Sequence, residues 1–176
     1  MHIRPAFRLD LHECLEFASS FETERVWQLE QRDDEADISV SLRSVRLPRP
    51  MEVQYPPVGW PALRQWEQSG SVLVAELQGR VCGYVGLAAQ PNQGLCWIQS
   101  LVVNRLERGK GVGTALVQSA ATWARKRTLQ RLMVAVQSKN HPAVQFCRHM
   151  GFCYCGYNDR FFANRDIALF FSGRVQ

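Results

Sequence analysis

No apolar run in the 176-residue chain approaches the roughly 18 residues of a membrane-spanning helix, so no membrane partner is expected. The opening MHIRPAFRLDLHE carries charge where a secretory leader needs an apolar core, which points to a cytoplasmic protein. No CxxC pair occurs among the six cysteines, so zinc-ribbon and thioredoxin-like spacings are both missing and no metal is expected. Cys14, Cys82, Cys96 and Cys147 read as buried thiols, while Cys153 and Cys155 alternate along a strand and should share a face. The charge excess is small, at +5, and the Arg125-Lys126-Arg127 cluster has no aromatic residues interleaved, so nucleic acid is not expected as a partner. Internal repeats and low-complexity tracts are lacking. With 46% apolar and 21% charged residues, the composition is that of one folded domain over 1–176.

What is present centres on Asn104 to Arg127, where a glycine-rich turn runs into an amphipathic helix. Upstream, LCWIQSLVV (Leu95 to Val103) is short, apolar and rich in β-branched residues, and reads as a buried strand. A helix start leaves its first N–H groups without intrahelical partners and carries partial positive charge, so a strand, glycine turn and helix in series can hold a phosphate. Gly109, Gly111 and Gly113 allow close backbone approach, and Arg105, Arg108 and Lys110 add charge. The spacing excludes two familiar cradles. No placement supplies the four residues that a P-loop needs before Gly-Lys-Ser/Thr, and GxGxxG fails because its third glycine would fall on Leu116 or Thr114. A glycine-rich loop that merely turns the chain remains open on this stretch alone.

The rest of the chain reads in two textures. Ile3 to Phe7 is a candidate strand, and Asp10 to Phe21 a candidate helix with Asp10 as its N-cap. Arg25 to Gln31 and Ile38 to Leu47 read as an extra hairpin around the acidic DDEAD, and LPRPMEVQYPPVGWP, with its prolines, as an irregular surface loop. These make residues 1–60 the variable part. From Pro61 the pattern becomes regular: a short helix, ALRQWEQ; a hairpin of SVLVAELQ and RVCGYVGLAAQ; then the strand, turn and helix described above. Gly113 to Arg127 forms the helix, burying Leu116, Val117, Ala120, Trp123 and Ala124, and RLMVAVQ (Arg131 to Gln137) completes a right-handed βαβ unit parallel to Leu95 to Val103. A helix over His141 to Met150 and strands over Phe152 to Asp159 and Asp166 to Ser172 close the chain.

Two motifs carry a family resemblance. Arg108-Gly-Lys-Gly111-Val-Gly113 matches Arg/Gln-x-x-Gly-x-Gly/Ala, and Asn140-His-Pro-Ala143-Val-Gln-Phe146-Cys147-Arg-His-Met-Gly151-Phe152 matches Asn-x-x-Ala-x-x-Leu/Phe-Tyr-x-x-x-Gly-Phe. Together, in this order, they resemble the GCN5-related N-acetyltransferase (GNAT) superfamily, over about Ser71 to Ser172. Within it, the run from Arg131 to Phe152 and the late DIALFF look like the streptothricin acetyltransferases and their relatives.

The resemblance implies an α/β (α+β) fold: a mixed central sheet of about seven strands with a splayed parallel pair and flanking helices. It implies acetyl-CoA as cosubstrate, an acetyl-CoA-binding core over 71–172, and transfer of acetyl to a primary amine by direct attack on the thioester. The acceptor would be a small molecule or a protein, and the chain a monomer or homodimer. Val102 and Val103 would offer backbone bonds to the pantetheine arm. Arg108, Gly109, Lys110, Gly111, Val112, Gly113 and Thr114 would hold the pyrophosphate, and Asn140 the pantetheine or a water beside it. The catalytic pattern departs from the family: its motif tyrosine is here Cys147, and Gln99 and Ser100 stand where streptothricin acetyltransferases carry acidic residues. Cys147 as acid, Glu76 as a base through water, and Tyr154, Tyr157 or Asp159 are the remaining candidates, each with an ordinary structural role as its alternative. A coenzyme-A-binding regulatory protein without the chemistry is the other functional expectation.

Overall fold

The computed structural model describes residues 1–17, 20–54 and 58–175. Among these, the elements run β1 (His2–Pro5), α1 (Asp10–Glu16), β2 (Ser20–Asp34), β3 (Asp37–Gln54), α2 (Trp60–Gln68), β4 (Val72–Leu77), β5 (Arg80–Gln90), β6 (Leu95–Val103), α3 (Val112–Arg125), β7 (Arg131–Gln137), α4 (His141–His149), β8 (Cys153–Asn158) and β9 (Ala168–Arg174). Seven strands form one mixed sheet in the order β1-β4-β5-β6-β7-β9-β8, the sheet that the resemblance implied, while β2 and β3 pair as a separate ribbon. No described helix is long and apolar enough to cross a membrane. The chain groups into two compact units, one of Met1–Ser19, Pro56–Ala135 and Ser172–Gln176, the other of Ser20–Tyr55 and Val136–Phe171.

In the first unit, β6 is the strand on which the site depends. It pairs antiparallel with β5 and parallel with β7, the latter reached through α3, as the βαβ reading expects. The buried face of α3 comprises Val112, Leu116, Val117, Ala120, Trp123 and Ala124, the predicted stripe with one residue added at its start. Gly83 on β5 lets this helix approach: a Cβ there would lie 2.9 Å from the Val102 carbonyl oxygen and within 3.3 Å of Val112 and Leu116 side-chain carbons. β4 and β5 are joined through Gln78 and Gly79, both with positive φ (52° and 78°), the paired left-handed geometry that matches strand twist in a two-residue hairpin. On one face of the sheet, Leu11, Cys14, Leu63, Val72, Val74, Val81 and Tyr84 form a buried cluster that includes α1 and α2 side chains.

Two expectations for the N-terminal part need correction. α1 ends at Glu16 rather than Phe21: Phe17 is already extended (ψ 120°), and Phe21 pairs with Val53 in the ribbon; residues 18–19 lie outside the described residues. Asp10 is also not the N-cap. It is the first residue of the helix, and its carboxylate accepts from the Phe7 amide (2.6 Å) and from both terminal nitrogens of Arg4 (2.7 and 2.9 Å). The Arg4 Nε donates to Glu76 on β4 (2.8 Å), so one guanidinium ties β1 to two carboxylates.

The second unit contains the ribbon, which is longer than the sequence suggested. Asp34 pairs with Asp37, leaving only Glu35 and Ala36 in the turn. Leu47 to Gln54, expected as loop, belong to β3, while residues 55–57 of that expected loop lie outside the described residues. Proline is accommodated by a register break. Arg25 faces Arg46 and Thr23 faces Met51, so Leu47, Pro48, Arg49 and Pro50 stand opposite Glu24 alone, and neither proline is asked for a ladder N–H. α4 starts at an Asn140 cap with Pro142 in its first turn and buries Val144 and Cys147. Gly151 follows it at φ 79°, the left-handed residue that commonly ends a helix.

Candidate active site

Two irregularities meet on β6. Its ladder with β7 runs from Leu95 opposite Arg131 to Ile98 opposite Val134 and stops there, although β6 continues to Val103. On its other side, Ile98 faces Leu87 and Ser100 faces Gly86, so Gln99 is an extra residue, a β-bulge. Among the described residues, β6 from Gln99 onward lies outside the ladder with β7. In a regular sheet the backbone groups on that side would be taken up by the neighbouring strand. Val102 and Val103 lie on this segment.

This segment leads into the glycine loop. Asn104 ends β6 with its side-chain oxygen accepting from the Leu106 amide (3.1 Å), closing a short 3-10 turn over Arg105–Glu107. The Arg108 Nε donates to the Val103 carbonyl (3.0 Å), folding the loop back onto the strand end. Gly109 and Gly111 have φ of 76° and 85°, a region that costs any other residue strain, and a Cβ at either would meet no atom within 4 Å. The loop thus presents bare backbone. Gly111 is the N-cap of α3 and its carbonyl accepts from Ala115 (3.0 Å), so the N–H groups of Val112, Gly113 and Thr114 precede the first intrahelical bond.

Arg105, Arg108 and Lys110 bring positive charge to the loop. Lys110 is paired with Glu107 at 3.1 Å. Arg108 has its pKa lowered, first by burial and then by the nearby Arg105 charge, which marks two guanidiniums close enough to repel. Bare glycine backbone, a helix N-terminus and paired guanidiniums together fit a pyrophosphate.

The expected cofactor residues Val102, Val103 and Arg108 to Thr114 are therefore one continuous feature of the first unit. Asn140, Cys147 and Tyr154 belong to the second unit and are described there. The Asn140 Oδ1 accepts from the Ala143 amide (3.0 Å), which gives it a definite role as the α4 cap. Cys147 is buried, its thiol pKa pushed up to about 12 by burial, so it stays protonated through neutral pH. Tyr154 is 40% exposed on β8, edge-on to Phe171 at 6.1 Å, with its pKa raised chiefly by burial and then by Tyr157 and Cys155. Glu76 lies in the first unit, held by Arg4. Among the described residues, no cluster of three or more His, Cys, Asp or Glu is placed to hold a metal.

Sequence reasoning missed the bulge at Gln99 and the proximity of Ser100 to Tyr84, whose hydroxyls lie 3.4 Å apart. The near-continuous apolarity of both strands carries no sign of a one-residue register shift. Only the departure of Gln99 and Ser100 from an otherwise apolar run could have drawn notice.

The mixed seven-stranded sheet, the glycine loop and the helix behind it make a fold of the GNAT type, and comparison with known proteins agrees. The model of the acetyltransferase (GNAT) family matches residues 23–152, well over half of the chain. This chain belongs to that family. Among proteins of known sequence, it is similar to a streptothricin acetyltransferase of Streptomyces lavendulae, 40% identical over 65 residues; the match spans 34% of this chain and only 34% of that relative. Among solved structures, a nourseothricin acetyltransferase superposes with a TM-score of 0.84, covering 99% of this chain and 98% of that one at 24% identity. A candidate streptothricin acetyltransferase of Bacillus anthracis str. Ames, solved with acetyl coenzyme A, gives 0.78 over 98% of both chains at 20% identity. At these identities the two structures speak to the shared fold.

Proposed function

We propose that the chain is an acetyl-CoA-dependent N-acetyltransferase that passes acetyl to a primary amine by direct attack on the thioester. The β6 segment beyond the β7 ladder, running into a bare glycine loop, carries this reading, because both features serve one extended ligand with a polyanionic end. Val102 and Val103 offer backbone hydrogen bonds to the pantetheine, and Arg108 to Thr114 hold the pyrophosphate. Attack by the amine nitrogen forms the C–N bond, the C–S bond breaks, and the coenzyme leaves as a thiolate that takes up a proton while the amine gives one up. Holding a neutral amine against the thioester supplies several kcal/mol by orientation alone. Glu76, bound to Arg4, and Cys147, protonated and buried, are spared for structure in this scheme. The likeness to streptothricin and nourseothricin acetyltransferases supports a small amine-bearing antibiotic as the first acceptor to test.

A coenzyme-A-binding regulatory protein is the second reading, favoured by the absence of a carboxylate at Gln99 and Ser100 and by the inert Cys147. One experiment separates them. Acetyl-CoA is titrated calorimetrically into the unaltered chain and into Gly111→Asp, and both are assayed with acetyl-CoA and an amine panel that includes nourseothricin, spermidine and a lysine peptide. Binding lost at least tenfold in Gly111→Asp, with turnover lost alongside it, is expected. Equal affinity in both would sink the cradle. Binding without turnover of any amine would favour the regulatory reading. We place the protein in the cytoplasm as a monomer or homodimer, which fractionation and light scattering would check.

A further inference from the structure

The cradle accounts for a diphosphate, whereas coenzyme A carries a further phosphate on the 3′ oxygen of its ribose and an adenine beside it. The short turn over Arg105–Glu107, between β6 and the glycine loop, holds two exposed side chains that the scheme above leaves unused. The cations of this segment are differently committed. Lys110 is paired with Glu107 at 3.1 Å, and the Arg108 Nε donates to the Val103 carbonyl at 3.0 Å. Arg105 is exposed, and among the described residues no carboxylate pairs with its guanidinium and no acceptor takes a hydrogen bond from it. Its charge is nonetheless felt at Arg108, so the two guanidiniums stand near each other.

Beside it, Leu106 is 79% exposed on a backbone that is held in place, its amide donating to the Asn104 Oδ1 at 3.1 Å. A single exposed leucine is ordinary on a protein surface. Next to an uncommitted guanidinium it completes a pair of opposite character, one side chain suited to an anion and one to the face of a flat ring. Both stand in solvent, so a ligand reaches them without any opening of the fold. Glu107, the one carboxylate of the turn, is offset by Lys110 and does not oppose an anion there. A ligand whose pyrophosphate sits in the glycine loop carries its 3′-phosphate only a ribose away, a spacing at which a second guanidinium near Arg108 interacts with it favourably.

We propose that Arg105 and Leu106 bind the 3′-phosphoadenosine end of the donor, Arg105 by pairing with the 3′-phosphate and Leu106 by covering one face of the adenine, and so make the chain selective for coenzyme A over its dephospho form. The inference rests on the acetyl-CoA reading above. The two anionic parts of the donor then fall to different groups: the pyrophosphate to the loop backbone and Arg108, the 3′-phosphate to Arg105. Arg105 takes no part in acetyl transfer. Its effect belongs in donor affinity and donor KM, with kcat at saturating donor unchanged.

The test titrates acetyl-CoA and acetyl-dephospho-CoA, which lacks only the 3′-phosphate, calorimetrically at 50 mM NaCl into the unaltered chain, Arg105→Gln, Arg108→Gln and Leu106→Ser. The unaltered chain is expected to bind acetyl-CoA about fivefold more tightly than the dephospho donor, the size that an exposed ion pair supports. Arg105→Gln should abolish that preference by weakening acetyl-CoA alone. Arg108→Gln should weaken both donors and leave the preference in place, and Leu106→Ser should weaken both alike, by about threefold. Melting temperatures should stay near that of the unaltered chain, since Arg105 and Leu106 are exposed. Equal affinity of the unaltered chain for the two donors, a preference that survives Arg105→Gln, or full affinity in Leu106→Ser would overturn the proposal. Failure of both donors to bind the unaltered chain would remove the acetyl-CoA reading itself, a result separate from binding that ignores the 3′-phosphate.

Discussion

Arg4 illustrates how much of this chain's chemistry at the residue scale is structural. Burial pushes the Asp10 carboxyl up, but the Arg4 hydrogen bonds, the Phe7 amide and the Arg4 charge outweigh it and hold its pKa below the usual carboxylate range. Arg4 is raised in turn, chiefly by its hydrogen bond to Asp10. A carboxylate with a depressed folded pKa contributes stability that is present above its unfolded value of 3.8 and disappears as pH falls through the folded value. Thermal melts between pH 6 and pH 2 should therefore show an acid-side loss of melting temperature, and Asp10→Asn should be less stable at pH 6 and show a smaller acid-side loss. Parallel curves for the two proteins would mean that Asp10 contributes nothing to the pH dependence. The same clasp explains why Glu76, the nearest strand carboxylate in sequence terms, is engaged elsewhere: its partner is 72 residues away on β1, a pairing that no local pattern announces.

At the scale of elements, legibility followed the kind of signal that each one carries. α3 was readable to within two residues because its stripe from Leu116 to Ala124 is a pure 3.6-residue pattern following left-handed glycines. α4 was readable because cap, proline and terminal glycine punctuate it. The ribbon was not, since β2 and β3 expose much of both faces and charged residues such as Asp33 and Asp34 sit in strand without penalty. Register shifts were illegible for a different reason: the bulge at Gln99 and the excursion at Pro48 and Pro50 are properties of pairs of strands. Gly86 records the consequence of one such shift. It lies beside the bulge with Trp66 of α2 against it, and its φ is outside the left-handed region, so packing alone requires glycine. Gly86→Ala should cost about 1–3 kcal/mol through overpacking. Denaturant melts should show most of that cost removed when Trp66→Leu is added, whereas additive losses would place the clash elsewhere.

Over the whole molecule, the formal charge of +5 and the guanidiniums of Arg105 and Arg108 suit a polyanionic ligand, yet in the proposed cradle the glycine loop would hold it through backbone. The two contributions separate by salt. Exposed charges are screened within about 10 Å at 0.1 M ionic strength, whereas N–H groups directed at a phosphate oxygen at contact distance are screened far less. Acetyl-CoA affinity should accordingly fall several-fold between 50 and 500 mM NaCl. Arg108→Gln should weaken binding at low salt and flatten the dependence, with the two proteins converging at high salt. Because Arg108 also donates to the Val103 carbonyl, a second outcome is informative. If Arg108→Gln weakens binding equally at every salt concentration, the side chain acts by folding the loop onto the strand end, and Arg108→Lys, which keeps the charge but loses the planar Nε donor, should then be as weak as the glutamine variant. Calorimetric titrations of the three proteins at both salt concentrations decide between field and scaffold, and a salt-independent affinity in the unaltered chain would assign the cradle to its backbone alone.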